Sequence, residues 1–70
     1  MRRLIKRSIV LAGHATSVAL EPQFWSALEA IAANQDLSVA ALLADIDAGR
    51  GDCPLASACR VSALEGFRNS

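Results

Sequence analysis

The stretch Ala15-Thr16-Ser17-Val18-Ala19-Leu20-Glu21-Pro22-Gln23-Phe24-Trp25 changes its side-chain period half-way, and that change decides the fold. Up to Leu20 the residues alternate. Thr16, Val18 and Leu20 share one face and Ala15, Ser17 and Ala19 the other, the two-residue repeat of a half-buried strand. Glu21-Pro22 stops the strand. Proline suits a first helical position, where the N–H it lacks would have no intrahelical acceptor. Phe24, Leu28, Ile31 and Ala32, with Trp25, then recur at helical spacing through Ala33. The reading predicts a strand region over 8–20 and a helix over 22–34.

Working outward, Ser8–Ala12 is a second, weaker strand candidate, and Gly13-His14 is a turn or bulge between the two. Residues 1–7 read as a basic arm. Downstream, Asn34-Gln35-Asp36 breaks the helical pattern and Ser38 is a good N-cap. Val39, Leu42, Leu43 and Ile46 follow at i, i+3, i+4 and i+7, giving a helix over 38–48 that Gly49 and Gly51 end. Pro54 opens a third helix over 54–67. Its Leu55, Ala58, Val61, Leu64 and Phe67, at three-residue steps, are expected to face the core, with Gly66 weakening the last turn. The whole chain, 1–70, is one domain, mostly α with a short β-ribbon.

The chain has 70 residues and 53% hydrophobic content, but fourteen of its apolar residues are alanine. A core of alanine and about twenty larger groups spread over several elements is thin for an isolated domain of this size. A strand region also leaves an edge that needs a partner. Both points favour a chain that completes itself against a second copy, strand pairing antiparallel with strand. Charge is 20%, too low for a disordered chain at this hydrophobicity. The apolar run Ile9–Ala12 is too short for a secretion signal and nothing approaches a membrane span. Two cysteines, Cys53 and Cys59, are few for a secreted mini-domain, so a reducing, cytoplasmic setting is expected.

Net charge is zero, yet it is partitioned. Arg2, Arg3, Lys6 and Arg7 stand in residues 1–20 without an acid. Glu21, Glu29, Asp36, Asp45 and Asp47 stand in 21–49 without a base. Such polarity suggests a basic arm for an anionic partner; its plain alternative is a solvated terminus.

The run from Thr16 to Gly51, TSVALEPQFWSALEAIAANQDLSVAALLADIDAGRG, resembles a ribbon-helix-helix domain of the Arc and Met repressor superfamily. It is most similar to a bacterial branch with a GHxTSVxLEPxFW strand, a Ser-Val at the start of the second helix and an added C-terminal helix. The resemblance implies an intertwined homodimer with intermolecular antiparallel strands, its ribbon in the major groove of double-stranded DNA. It implies a transcription regulator, a repressor or an antitoxin-type protein. Carried onto this chain, Ala15, Ser17 and Ala19 are the outward, base-facing positions. Ser38, with the amide of Val39, is the phosphate anchor at a helix N-terminus. Thr16, Val18 and Leu20 point into the shared core. The groove-facing set departs from the pattern, because alanine can touch a thymine methyl but neither donates nor accepts. Lys6, Arg7 and His14 are therefore expected to add contacts from outside it. The alternative is a homodimeric assembly module that keeps the fold without reading DNA. Dimers pairing into tetramers are left open.

Nothing in the sequence supports an enzyme. His14 has no neighbouring nucleophile and reads as a turn residue able to reach a phosphate. Cys53 and Cys59 match no common zinc spacing, and Cys59 reads as a small apolar packer. Asp45 and Asp47, two apart on a helix, diverge. No phosphate loop, catalytic triad or dinucleotide fingerprint is present, and no cofactor, metal or small-molecule substrate is expected.

Overall fold

The computed structural model describes residues 3–68, with side chains through Gly66. Arg2 of the expected arm and the side chain of Phe67, expected in the core, lie outside the described residues. Two strands, β1 (Ile5–Leu11) and β2 (His14–Leu20), precede three helices, α1 (Pro22–Asn34), α2 (Val39–Gly49) and α3 (Leu55–Arg68). The strands pair antiparallel within the one chain, in register from Ile5 opposite Leu20 to Leu11 opposite His14. The strand begins at Ile5, so Lys6 and Arg7 sit on β1.

The hairpin closes over Ala12 and Gly13, with φ of 51° and 81°. Two consecutive positive φ values are what a two-residue turn needs to match the right-handed twist of its strands. Gly13 adopts this freely. Ala12 does so at a cost of roughly 1–2 kcal/mol, which the seven-residue ladder on either side holds in place.

Alternation sorts the hairpin into two faces. Ile9, Leu11, Val18 and Leu20 are buried against the helices, with Thr16 half-buried beside them. Lys6, Ser8, Val10, Ala15 and Ser17 are exposed, and Ala19 is half-buried. The face expected for Val18 and Leu20 is the face the structure gives them.

The helices cover the inner face. Pro22 stands at the start of α1. At its other end Asp36, with φ of 60°, takes the left-handed conformation. Its N–H donates to the Ala33 carbonyl at 3.1 Å, and Leu37 N–H donates to the Ala32 carbonyl at 2.8 Å. These two bonds close a Schellman motif that satisfies the last carbonyls and returns Leu37 to the core. The chain axis turns by 98° between α1 and α2. Trp25, Ala27, Leu28, Ala32, Leu42 and Leu43 join the strand residues in one core with no buried polar side chain among the described residues.

The third helix packs through a different stripe from the one its larger side chains suggest. Cys59 and Ala63 are fully buried and Leu55 and Ala56 partly so, whereas Val61 is 52% exposed and Leu64 56%. Three-residue steps turn 60° short of a full revolution each time, so a stripe from 55 to 67 winds away from any one face. The packed stripe keeps helical spacing with small residues, which brings the helix close to α1. A Cβ on Gly66 would stand 2.8 Å from Ile31 Cγ1, too near to fit without moving that side chain. Gly66 therefore serves the α1–α3 approach. No single helix among the described residues is long and apolar enough to cross a membrane.

Two outcomes follow from this packing. Val18→Asp places a carboxylate where the parent side chain is buried, without a partner, and is expected to abolish the helical circular-dichroism signal at room temperature. Retention of a cooperative melt would contradict the inward assignment of the even-numbered β2 residues. Burial raises the Cys59 thiol above its ordinary pKa, against the opposing charge of Arg60, while Cys53 is exposed. A thiol reagent at mildly alkaline pH should modify one cysteine per chain quickly and the second only on unfolding.

Candidate nucleic-acid interface

Register places six residues on the outer face of the hairpin as three cross-strand pairs: Lys6 with Ala19, Ser8 with Ser17, and Val10 with Ala15. Ala15, Ser17 and Ala19 thus stand together, as their alternation requires, and Lys6 joins them from the other strand. Ser8 and Val10 belong to the same face. Neither follows from reading 8–12 only as a weak strand candidate. The signal was the alternation Lys6-Arg7-Ser8-Ile9-Val10-Leu11, whose odd residues turn inward.

Arg7 is placed otherwise than Lys6. It is on the inner face, with its guanidinium carbon 4.5 Å from the centre of the Trp25 ring and Nη2 donating to Glu29 Oε2 at 3.1 Å. Its charge is engaged by α1. Trp25 is 2% exposed, and its indole N–H donates to the Ile5 carbonyl at 2.8 Å. Arg60 on α3 pairs with Glu21 at 3.0 Å and lies 5.8 Å from the Phe24 ring centre. Arg50 is held by Asp47 at 2.7 Å and by the Cys53 carbonyl at 2.7 Å. Arg3 and Lys6 enter no ion pair among the described residues. The basic front is therefore narrower than a count of seven Lys and Arg implies.

His14 is the first residue of β2, exposed beside the turn. It lines a shallow cavity of about 310 Å³ with Leu11, Thr16, Asp47, Arg50 and Leu55. Ser38 caps α2, its Oγ accepting from the Ala41 N–H at 3.1 Å. That serves one of the amides an α-helix leaves without an intrahelical acceptor, and the amides of Val39 and Ala40 precede it at the positive end of the dipole. Ser38 is exposed and Val39 half-buried against the core. The cap is on the α2 end and the outward residues are on the hairpin, two surfaces joined through the packing of α2 on β1. Among the described residues no three His, Cys, Asp or Glu side chains gather as a metal site.

A ribbon-helix-helix domain model matches residues 4–67, nearly the whole chain. The chain belongs to the ribbon-helix-helix family. Its members are generally DNA-binding regulators, and the fold is a non-enzymatic one. No curated protein and no solved structure matched the chain. The hairpin and first two helices supply the family's elements, and α3 extends the matched region to its end.

The inward placement of Arg7 has a stability consequence. Arg7→Ala removes the cover over Trp25 and the partner of Glu29, and should lower the melting temperature by the equivalent of about 1 kcal/mol. Lys6→Ala, exposed on the outer face, should leave it unchanged. Paired thermal melts of the two variants test the assignment. Equal behaviour would mean that Arg7 is not held as described.

Proposed function

We propose that this ribbon-helix-helix protein is a DNA-binding transcription regulator that acts as a homodimer. The observation that carries the reading is the free edge of β2. Leu11 and His14 flank a two-residue turn, so the inward residues of β2 exchange hydrogen bonds with β1. The backbone groups of Ala15, Ser17 and Ala19 point to the opposite edge. That edge carries no charge and no proline, whereas the β1 edge carries Lys6, a residue type that discourages strand pairing.

A second copy pairs its β2 antiparallel along that edge. The two central strands form the ribbon, about the width the major groove admits. Ala15, Ser17 and Ala19 of both chains face the bases. The flanking β1 strands bring Lys6 and Ser8 towards the phosphates of the groove walls, and Ser38 with the Val39 amide offers a helix N-terminus to a further phosphate. His14 and Arg3 add contacts at the margins. With one hydroxyl per chain among the base-facing positions, sequence preference is modest and phosphate contacts supply most of the affinity.

The neutralised Arg7, Arg50 and Arg60, and an outer face rich in alanine, favour a second reading, in which the dimer is an assembly module without DNA recognition. Fluorescence anisotropy with fragments selected from genomic DNA separates the two. For a regulator, affinity falls steeply with salt. Lys6→Ala should reduce the log–log salt slope by about two units per dimer, at roughly 0.9 per phosphate contact. Ser17→Ala should flatten base preference while sparing non-specific affinity. Absence of binding at low salt would establish the assembly reading.

A further inference from the structure

A groove of about 330 Å³ runs between α2 and α3, and no strand residue lines it. Its apolar lining is Ile46, Ala58 and Val61, and its rim carries Asp45 and Glu65. Val61 is 52% exposed, and Leu64, three residues on along α3, is 56% exposed. These are the largest apolar side chains that the helices leave in water among the described residues, since α3 packs on its own chain through Cys59 and Ala63. An apolar strip of this kind beside polar residues marks a contact surface.

Charge selects the occupant. Asp45 and Glu65 are exposed and form no ion pair among the side chains described, which end at Gly66. Arg50, which also lines the groove, has its Nε on Asp47 and its Nη1 on the Cys53 carbonyl, so its charge is already answered. The field at the rim is therefore negative over an apolar floor. We infer that the α2–α3 groove docks a basic amphipathic helix of a partner protein, whose leucine-type side chains lie on Ile46, Ala58 and Val61 in the groove and on Leu64 beside it on α3, while its lysines or arginines meet Asp45 and Glu65. An apolar stripe flanked by one charge sign is what a helix-in-groove contact reads. An acidic segment is repelled by the same rim. The hairpin's outer face lies on the far side of the sheet from the helices, so the two surfaces are occupied together rather than in competition.

The test uses the full-length protein and two fluorescein-labelled helical peptides, one of leucine and lysine and one of leucine and glutamate in the same order. The parent should bind the lysine peptide and not the glutamate peptide, with affinity that declines as salt rises. Val61→Ser with Leu64→Ser should weaken binding by about tenfold or more, a shift of about 1.4 kcal/mol. Asp45→Lys with Glu65→Lys should lose the lysine peptide and acquire the glutamate one. All four substitutions are at exposed positions, and an unchanged melting temperature confirms folding. Equal affinity for both peptides, or retention of the lysine peptide by the charge-reversed variant, overturns the inference. So does a fall in sedimenting mass for Val61→Ser with Leu64→Ser, which would assign the groove to a second copy of the chain.

Discussion

The Trp25 side chain is the fastening on which the hairpin's position depends. Its N–H donates to the carbonyl of Ile5, its ring lies beneath Arg7, and Arg7 in turn reaches Glu29 one turn further along α1. A two-stranded hairpin is marginal alone in water. Here β1 is tied to α1 through one buried indole that satisfies its own polar atom with the strand's backbone. Because β1 is held, β2 is held by its ladder, and the two faces of the hairpin keep their orientation to the helices. Arg7 contributes through its stem as well as its charge, covering the ring while the guanidinium stays partly in water.

The same fastening explains why the first strand was hard to read. Ile5, Arg7, Ile9 and Leu11 form one face, but an arginine in an apolar series looks like the end of a pattern. Its stability rests on Glu29, 22 residues away, and no local rule brings those two together. The second strand was legible because Thr16, Val18 and Leu20 alternate without interruption. The first two helices were legible for the same reason, with caps at Pro22 and Ser38 that follow from which amides a helix leaves without acceptors. Side-chain size is a poor guide to the packed face of α3. The helix approaches α1 through Cys59, Ala63 and Gly66, and small residues give little hydrophobic signal while permitting the closest packing.

Candidate site residues divide along the same line. Ala15, Ser17 and Ala19 were placed by period alone, and their shared outward face needs only the strand. Lys6 and Ser8 join them through register, which is fixed by a turn whose Ala12 carries no sequence signal for positive φ. The division of Lys6 outward and Arg7 inward is a parity effect. Adjacent strand residues cannot both face a ligand, so a basic pair on a strand contributes at most one charge to a flat interface.

Parity and pairing together turn a neutral chain into a dipolar one. Arg7, Arg50 and Arg60 are consumed by Glu29, Asp47 and Glu21. What remains among the side chains described is Arg3 and Lys6 at the open end of the hairpin, and Asp36, Asp45, Asp52 and Glu65 on and between the helices. Zero net charge therefore hides a front that attracts anions and a back that repels them. A phosphate lattice approached from a distance favours one orientation before any contact forms, since the acidic side costs energy wherever it turns towards the polyanion. On the proposed DNA-binding reading, the acids that orient the molecule are kept off DNA by the field they create, which leaves that side of the helices open to the cationic partner proposed for the α2–α3 groove.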